Sequence, residues 1–316
     1  MRYVITGASG HIGNNLVRMI NKLQPEAEVI VLTRRVITEE LCGTLCEQRV
    51  GDLFSVEFLK DSMDSETVVV HAAGFIDLTD KKREETFKVN YLLAERVLRA
   101  ALDKTVQRFI YIGTTDAIFK DSNGEICEPE DYYPDKIEGN YGKSKAMASK
   151  LILDEIKSDP SFNACIVIPS AVIGINDYKP SAIGKIIKSV IRSKPEIGIA
   201  GGYNFVDVED VCRVIIALSK SSHRGQFIVS GESVEVRELF ERLNNIMCQK
   251  KKAIILPSIL VSMLLPFIPS LNKITLKALR ENHSFSNKRA ETVLGFENTK
   301  LDKTLRNTLD WFIGRL

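Results

Sequence analysis

Neither sign of charge dominates this chain. Lys and Arg number 43 against 41 Asp and Glu, a formal net charge of +2. No broad field therefore calls for nucleic acid or an anionic membrane, and a small-molecule partner is expected. The six cysteines, Cys42, Cys46, Cys127, Cys165, Cys212 and Cys248, include no C-x2-C pair and have no nearby histidine to complete a zinc site. Free thiols and no metal are the expectation. No signal-peptide pattern precedes the strand-and-turn segment YVITGASG, which predicts a cytoplasmic location. Repeats and low-complexity tracts are missing too. The apolar stretch from Ala253 to Leu271 carries three prolines and falls short of the roughly 20 unbroken apolar residues of a spanning helix. It is expected to pack on the core or line a greasy pocket.

What is present is a rhythm. Short apolar runs alternate with amphipathic stretches through the first half: RYVITG, a helix from His11 to Leu23, EVIVLTR, the short VGDL element, TVVVHAAG and a long helix from Glu84 to Leu102. RFIYIGT, a helix from Tyr141 to Ser158 and ACIVIPS follow. The runs are continuously apolar, as strands buried on both faces must be. This predicts an α/β fold, a Rossmann-type doubly wound parallel sheet. Beyond Pro169 the rhythm changes, with helices expected at Ser181 to Ser193, through Ser219, and at Val234 to Cys248. The expected division is a dinucleotide-binding domain over 1–170 with a return segment near 204–230. A smaller, mainly helical substrate-binding region would take 171–203 and 231–316.

The segment TGASGHIG sets Gly7, Gly10 and Gly13 at three-residue spacing between a strand and a helix. Such glycines serve a tight turn, close approach of backbone N–H groups to a phosphate, and tight packing of helix on strand. The helix N-terminus adds partial positive charge for a pyrophosphate. Gly7, Ser9, Gly10, His11, Ile12 and Gly13 are therefore expected to hold a dinucleotide. An acidic residue closing the second strand would bind a ribose 2′-hydroxyl, but Thr33, Arg34 and Arg35 stand there. A guanidinium suits a 2′-phosphate, so Arg34 favours NADP, with NAD as the alternative. Asp52, with Leu53 beside it, either accepts from the adenine amino group or is a turn residue.

In NYGKSK, Tyr141 stands four residues before Lys145, on one face of a helix. A phenol with a free pKa of about 10 needs a neighbouring cation to exchange protons near neutrality, and Lys145 would supply it. The same lysine would reach the nicotinamide ribose.

With these motifs in place the chain resembles the extended short-chain dehydrogenases/reductases, the NAD-dependent epimerase/dehydratase superfamily. TGASGHIG, HAAG, VNYLLAERVL, YGKSK, IPSAVIG, FVDVEDV and LGFENTKLDKTLRNTLDWF carry the likeness nearly end to end. The resemblance implies that Tyr141 is the general acid/base, Lys145 its electrostatic partner, and Thr114, or Thr115 one residue on, the group that orients the substrate oxygen. It implies that Ala72, Ala73, Gly74 and Asn90 lie along the cofactor, and Pro169 and Val172 against the nicotinamide. Its dehydratase branch carries a Thr-Asp-Glu set, whereas Thr114, Thr115, Asp116 and Ala117 lack the carboxylate pair. Its epimerase branch carries an Arg and a His where this chain has Tyr203, Asn204 and Asp207, which disfavours a diphosphate substrate unless Lys179, Lys185 or Lys188 substitutes.

The nearest pattern is that of the dihydroflavonol 4-reductase and 3β-hydroxysteroid dehydrogenase-like branch. It implies an NADP(H)-dependent oxidoreductase that interconverts a carbonyl and a secondary alcohol on a small, fairly apolar substrate. A nucleotide-sugar epimerase with tightly bound NAD and a non-catalytic NADP-binding regulatory protein are the alternatives. A homodimer through the two long helices is implied by analogy.

Overall fold

The computed structural model describes residues 1–77, 79–120, 124–192, 196–264, 273–281 and 284–315. Its first half winds as the rhythm predicts: β1 (Arg2–Thr6), α1 (His11–Leu23), β2 (Glu28–Thr33), β3 (Glu47–Val50), α2 (Val56–Lys60) and β4 (Thr67–His71). After α3 (Arg83–Phe87) and α4 (Leu93–Asp103) come β5 (Arg108–Ile112), α5 (Asn140–Ser158), β6 (Ala164–Pro169) and β7 (Ala171–Ile173). The second half holds α6 (Ala182–Ile191), β8 (Ile197–Ile199), β9 (Gly202–Asp207), α7 (Val208–Ser219), β10 (Gly225–Val229) and β11 (Glu232–Glu235). It closes with α8 (Val236–Ile246), β12 (Ile254–Leu256), α9 (Ser258–Leu264), α10 (Lys273–Glu281), α11 (Lys288–Leu294) and α12 (Leu301–Ile313).

Seven strands form the central sheet in the order β10-β6-β5-β4-β1-β2-β3, and every pairing in it is parallel. Alternate side chains feed opposite faces. Val4 packs with Val97, Ala148 and Ile152 of α4 and α5, while Tyr3 and Ile5 pack with Leu16, Ile20, Val211 and Ile215 of α1 and α7. Each such aliphatic side chain contributes roughly 1.5–3 kcal/mol by leaving water, so double-sided burial is what makes the uniformly apolar strands stable here. The strand order reverses between β1 and β4, and the crevice at the carboxyl ends of those strands is where open α/β sheets bind ligands.

A smaller antiparallel and parallel mix follows. β9 lies between β11 and β7, and β12 pairs with β8. Their apolar cluster joins Ile187 and Val190 of α6, Leu239, Phe240 and Leu243 of α8, and Leu305, Leu309 and Phe312 of α12. α7 and β10 return to the central sheet, where β10 pairs with β6.

Several boundaries differ from expectation. The long helix at Glu84 to Leu102 is interrupted by a π-helical turn, Lys88–Leu92, between α3 and α4. The helix expected from Val234 starts at Val236, because Glu232–Glu235 pair with β9 as β11. Ser181 is not the first helical residue but the cap of α6, its hydroxyl accepting from Gly184 N–H at 3.0 Å. Ser193 lies outside the described residues, as do 265–272 of the apolar stretch. No described helix is long and apolar enough to cross a membrane. All six cysteines are free thiols.

Candidate active site

The glycine loop is built by exclusion of side chains. Gly7 has φ +81°, and a Cβ there would lie 2.5 Å from the backbone of Ala72 and Ala73 at the end of β4. A Cβ on Gly13 would collide with the Gly7 carbonyl. Gly10 caps α1 with no side-chain acceptor, and the first turn of that helix carries no acid. The opening N–H groups of a 13-residue helix are thus left for an external anion, so the loop fits a pyrophosphate. Ser9 and Ile12 are half-buried in it. The His11 ring turns away, its Nε2 on the Ile175 carbonyl at 2.9 Å, and burial lowers its pKa.

At the end of β2, Arg34 and Arg35 are both exposed, and Arg34 has no partner among the described residues. Asp52 accepts from Phe54 N–H at 3.0 Å, and Leu53 is buried in the core beneath it. Ala72 and Ala73 are pinned to Thr6 through their N–H groups. Ala72, Ile12 and Val172 pack against one cluster on the glycine-loop side of the sheet. Pro169 closes β6.

Tyr141 and Lys145 both leave the first turns of α5. Lys145 is 5% exposed, and its Nζ donates to the Ile112 carbonyl at 2.6 Å. It also stands 4.3 Å over the Tyr111 ring. Burial, with no carboxylate to oppose it, brings its pKa down to about 7. Behind Tyr111 stacks His71, ring centroids 5.8 Å apart. Burial first, and the Lys145 charge second, hold that imidazole down at about 3, so it stays neutral. Burial, then the charge of Asp116, raise the Tyr141 phenol above its ordinary value, and a hydrogen bond with the Thr114 side chain opposes them. Of the two threonines, it is Thr114 whose side chain acts on the Tyr141 phenol.

Asn90, set in the π turn and fully buried, bridges two elements. Its Oδ1 accepts from Phe75 N–H at 2.7 Å, and its Nδ2 donates to the Phe75 carbonyl at 2.9 Å and to Ser144 Oγ at 3.0 Å. Ser144 in turn donates to the Tyr141 carbonyl at 2.8 Å. Asn90 therefore ties the loop that follows β4 to the helix of Tyr141, and its amide is spent on that bridge. Gly74 lies under the same amide, its would-be Cβ 3.5 Å from Asn90 Oδ1. Asp80 Oδ1 accepts from Asn140 N–H at 2.6 Å and so caps α5. Sequence reasoning passed over Ser144 and Asp80. Ser144 was visible as the residue one turn after Tyr141, whereas Asp80 meets α5 only through the fold.

In front of Tyr141 opens a cavity of about 230 Å³. Asp116, Phe119, Ile137, Tyr203 and Ile274 line it together with Tyr141. Of the six residues set against the epimerase pattern, Tyr203, Asn204, Asp207, Lys179, Lys185 and Lys188, only Tyr203 reaches this wall. Asn204 donates to Gly231 and Ser233, and Asp207 caps α7. Lys179 sits on the glycine loop, 3.2 Å from the Ser9 carbonyl and 2.7 Å from Glu40. Lys185 and Lys188 line a separate recess with Arg192. None of the three faces Tyr141.

Known proteins resemble this chain in sequence and in fold. The chain is 24% identical over 259 residues to sterol demethylase protein B of Methylococcus capsulatus, covering 81% of this chain and 78% of that one. It is 26% identical to the 4-hydroxy-2-methyl-3-oxo-4-farnesyl-3,4-dihydroquinoline-1-oxide ketoreductase of Stigmatella aurantiaca, covering 77% and 72%. Among solved structures, UDP-glucose 4-epimerase of Thermotoga maritima superposes with a TM-score of 0.82 at 19% identity, over 100% of this chain and 99% of that one. The description "NAD dependent epimerase/dehydratase family" matches residues 3–230. With its parallel sheet, its glycine loop and a match over that span, the chain belongs to the NAD dependent epimerase/dehydratase family.

Proposed function

We propose that this protein is an NADP(H)-dependent oxidoreductase that interconverts a carbonyl and a secondary alcohol. The observation that carries the proposal is that Tyr141 lines the cavity while the Thr114 side chain acts on its phenol, and Lys145 lies buried one turn further along the same helix. The loop from Gly7 to Gly13 would hold the pyrophosphate and Arg34 the 2′-phosphate, with NAD as the coarser alternative the family allows. Bound there, the cofactor supplies or accepts the hydride at nicotinamide C4.

The chain's own part is proton handling. A Tyr141 phenol raised above its ordinary pKa is protonated at neutral pH and suits donation to a developing alkoxide. The Thr114 hydroxyl would hydrogen-bond the same oxygen and orient it. Lys145 would stabilise the phenolate left behind, from a buried position where its charge is felt strongly. Residues 1–170, with the return near 204–230, would hold the dinucleotide, and 171–203 with 231–316 the substrate. The ketoreductase name among the relatives supports this chemistry. So does the position of the site at the carboxyl ends of the strands.

Replacing Tyr141 with Phe tests the assignment. Turnover is expected to fall at least ~100-fold while NADPH binding stays within about twofold, and a variant with near-normal kcat overturns it. A second reading, epimerisation of a nucleotide sugar with retained NAD, draws on the charged residues of the cavity wall, among them Lys120 and Lys136. It requires purified protein to release NAD on denaturation.

A further inference from the structure

The cavity wall holds four carboxylates, and three are already satisfied. Asp77 accepts from Thr79 N–H and Oγ1 and from Lys82 N–H, at 2.6–2.9 Å. Asp80 caps α5 through Asn140, and Glu138 takes Lys277 Nζ at 2.8 Å. The carboxylate of Asp116 has no partner among the described residues, and it is exposed to the cavity. The remaining amines of the wall are occupied with rings. Lys136 stands 4.7 Å from the Phe119 ring and 4.8 Å from that of Tyr133, and Lys120 stands 5.5 Å from Phe285.

Asp116 is also fixed relative to the reacting oxygen. Its N–H donates to Thr114 Oγ1 at 3.2 Å, and its carbonyl abuts Gly142 of α5, where an added Cβ would lie 2.7 Å away. One tight turn, Thr115–Ala117, thus ties the Asp116 backbone to the Thr114 hydroxyl. The charge is close enough to push both the Tyr141 and the Tyr203 phenols upward, though burial is the larger cause for each and takes Tyr203 to about 12.

Resting on the oxidoreductase assignment above, we propose that Asp116 contacts the substrate and accepts a hydrogen bond from a hydroxyl on the carbon next to the reacting carbonyl. The substrate class is a small α-hydroxy ketone, with the vicinal diol as its reduced form. A volume of about 230 Å³ lies below the roughly 300 Å³ at which drug-sized sites begin, which suits a small molecule. A substrate that closes the cavity without offering a donor strands a desolvated carboxylate, and a site built to hydrogen-bond a hydroxyl discriminates strongly against the analogue lacking it. A carboxylate or phosphate at the same carbon would be repelled.

The test is a panel of matched pairs, open-chain and cyclic, each a ketone and its α-hydroxy counterpart, assayed by NADPH oxidation with wild type, Asp116→Ala and Tyr141→Phe. Wild type is expected to favour the hydroxylated member by at least tenfold in kcat/KM. Asp116→Ala should collapse that ratio by raising KM for the hydroxylated member at least tenfold, with kcat within about threefold and NADPH affinity unchanged. The unchanged NADPH affinity doubles as the check that the variant folds. Equal loss on both members, a wild-type preference for the plain ketones, or no turnover of any pair overturns the proposal. Persistent turnover by Tyr141→Phe sinks the parent assignment instead, and is read separately from the Asp116 ratio.

Discussion

Lys145 lies over Tyr111, its ammonium 4.3 Å from the ring centroid and hydrogen-bonded at 2.6 Å to the Ile112 carbonyl. A ring face and a carbonyl solvate a cation less well than water does, which is why burial brings the pKa down to about 7. The unfolded chain keeps that proton up to about pH 10.4. Between these values the unfolded state binds more protons, so this residue's penalty on folding shrinks as pH rises through the window. Lys145→Met is expected to raise the Tm of the cofactor-free protein most at pH 7 and below, with the gain fading towards pH 10. Calorimetry of both proteins across that range checks it. A gain that grows with pH refutes the assignment.

The glycines of the loop separate stability from binding. Gly13→Ala has no space for its methyl against the Gly7 carbonyl and should destabilise the fold by about 1–3 kcal/mol. Gly10 is exposed and its nearest would-be contact is 3.2 Å away. Gly10→Ala is therefore expected to keep stability within ~0.5 kcal/mol and still lose NADPH affinity, because its methyl stands where a phosphate would approach. Urea titration beside fluorescence titration of NADPH distinguishes the two.

Arg34 supplies the cofactor test. Arg34→Ala should weaken NADPH by about 1.5–3 kcal/mol, the usual worth of a hydrogen bond to a charged group, and leave NADH unchanged. Should wild type prefer NADH, the 2′-phosphate role is wrong.

Asn90 and Ser144 form a graded pair. Asn90→Ala strands the Phe75 N–H and carbonyl and should cost about 2–3 kcal/mol, whereas Ser144→Ala removes only the outer link and should cost about 1 kcal/mol. Chemical denaturation with both variants and their double mutant measures the coupling.

Much of this architecture is legible in the sequence, because continuous apolar strands and a strand-glycine-helix junction admit few folds. The ends of α1 and the last residue of α5 need nothing beyond local pattern. What is illegible depends on partners distant in the chain. Glu232–Glu235 become a strand only because β9 lies beside them. Thr114 and Thr115 are chemically equal in the sequence, and only the fold shows Thr114 capping the tight turn Thr115–Ala117, its Oγ1 accepting from Asp116 N–H. Asp116 reads in the sequence as half of a missing pair, and becomes a free acceptor once Asp77, Asp80 and Glu138 are seen to be engaged.

The π turn at Lys88–Leu92 makes the helix sensitive to counting. An α-helical turn advances each residue by about 100°, so deleting a single residue from this turn would let the helix close up in regular form. Asn90 would then swing a comparable angle away from Phe75 and Ser144, however faithfully every other side chain were kept. Length, not composition, is what that stretch must conserve, and a one-residue insertion or deletion there would disable the junction more thoroughly than most substitutions.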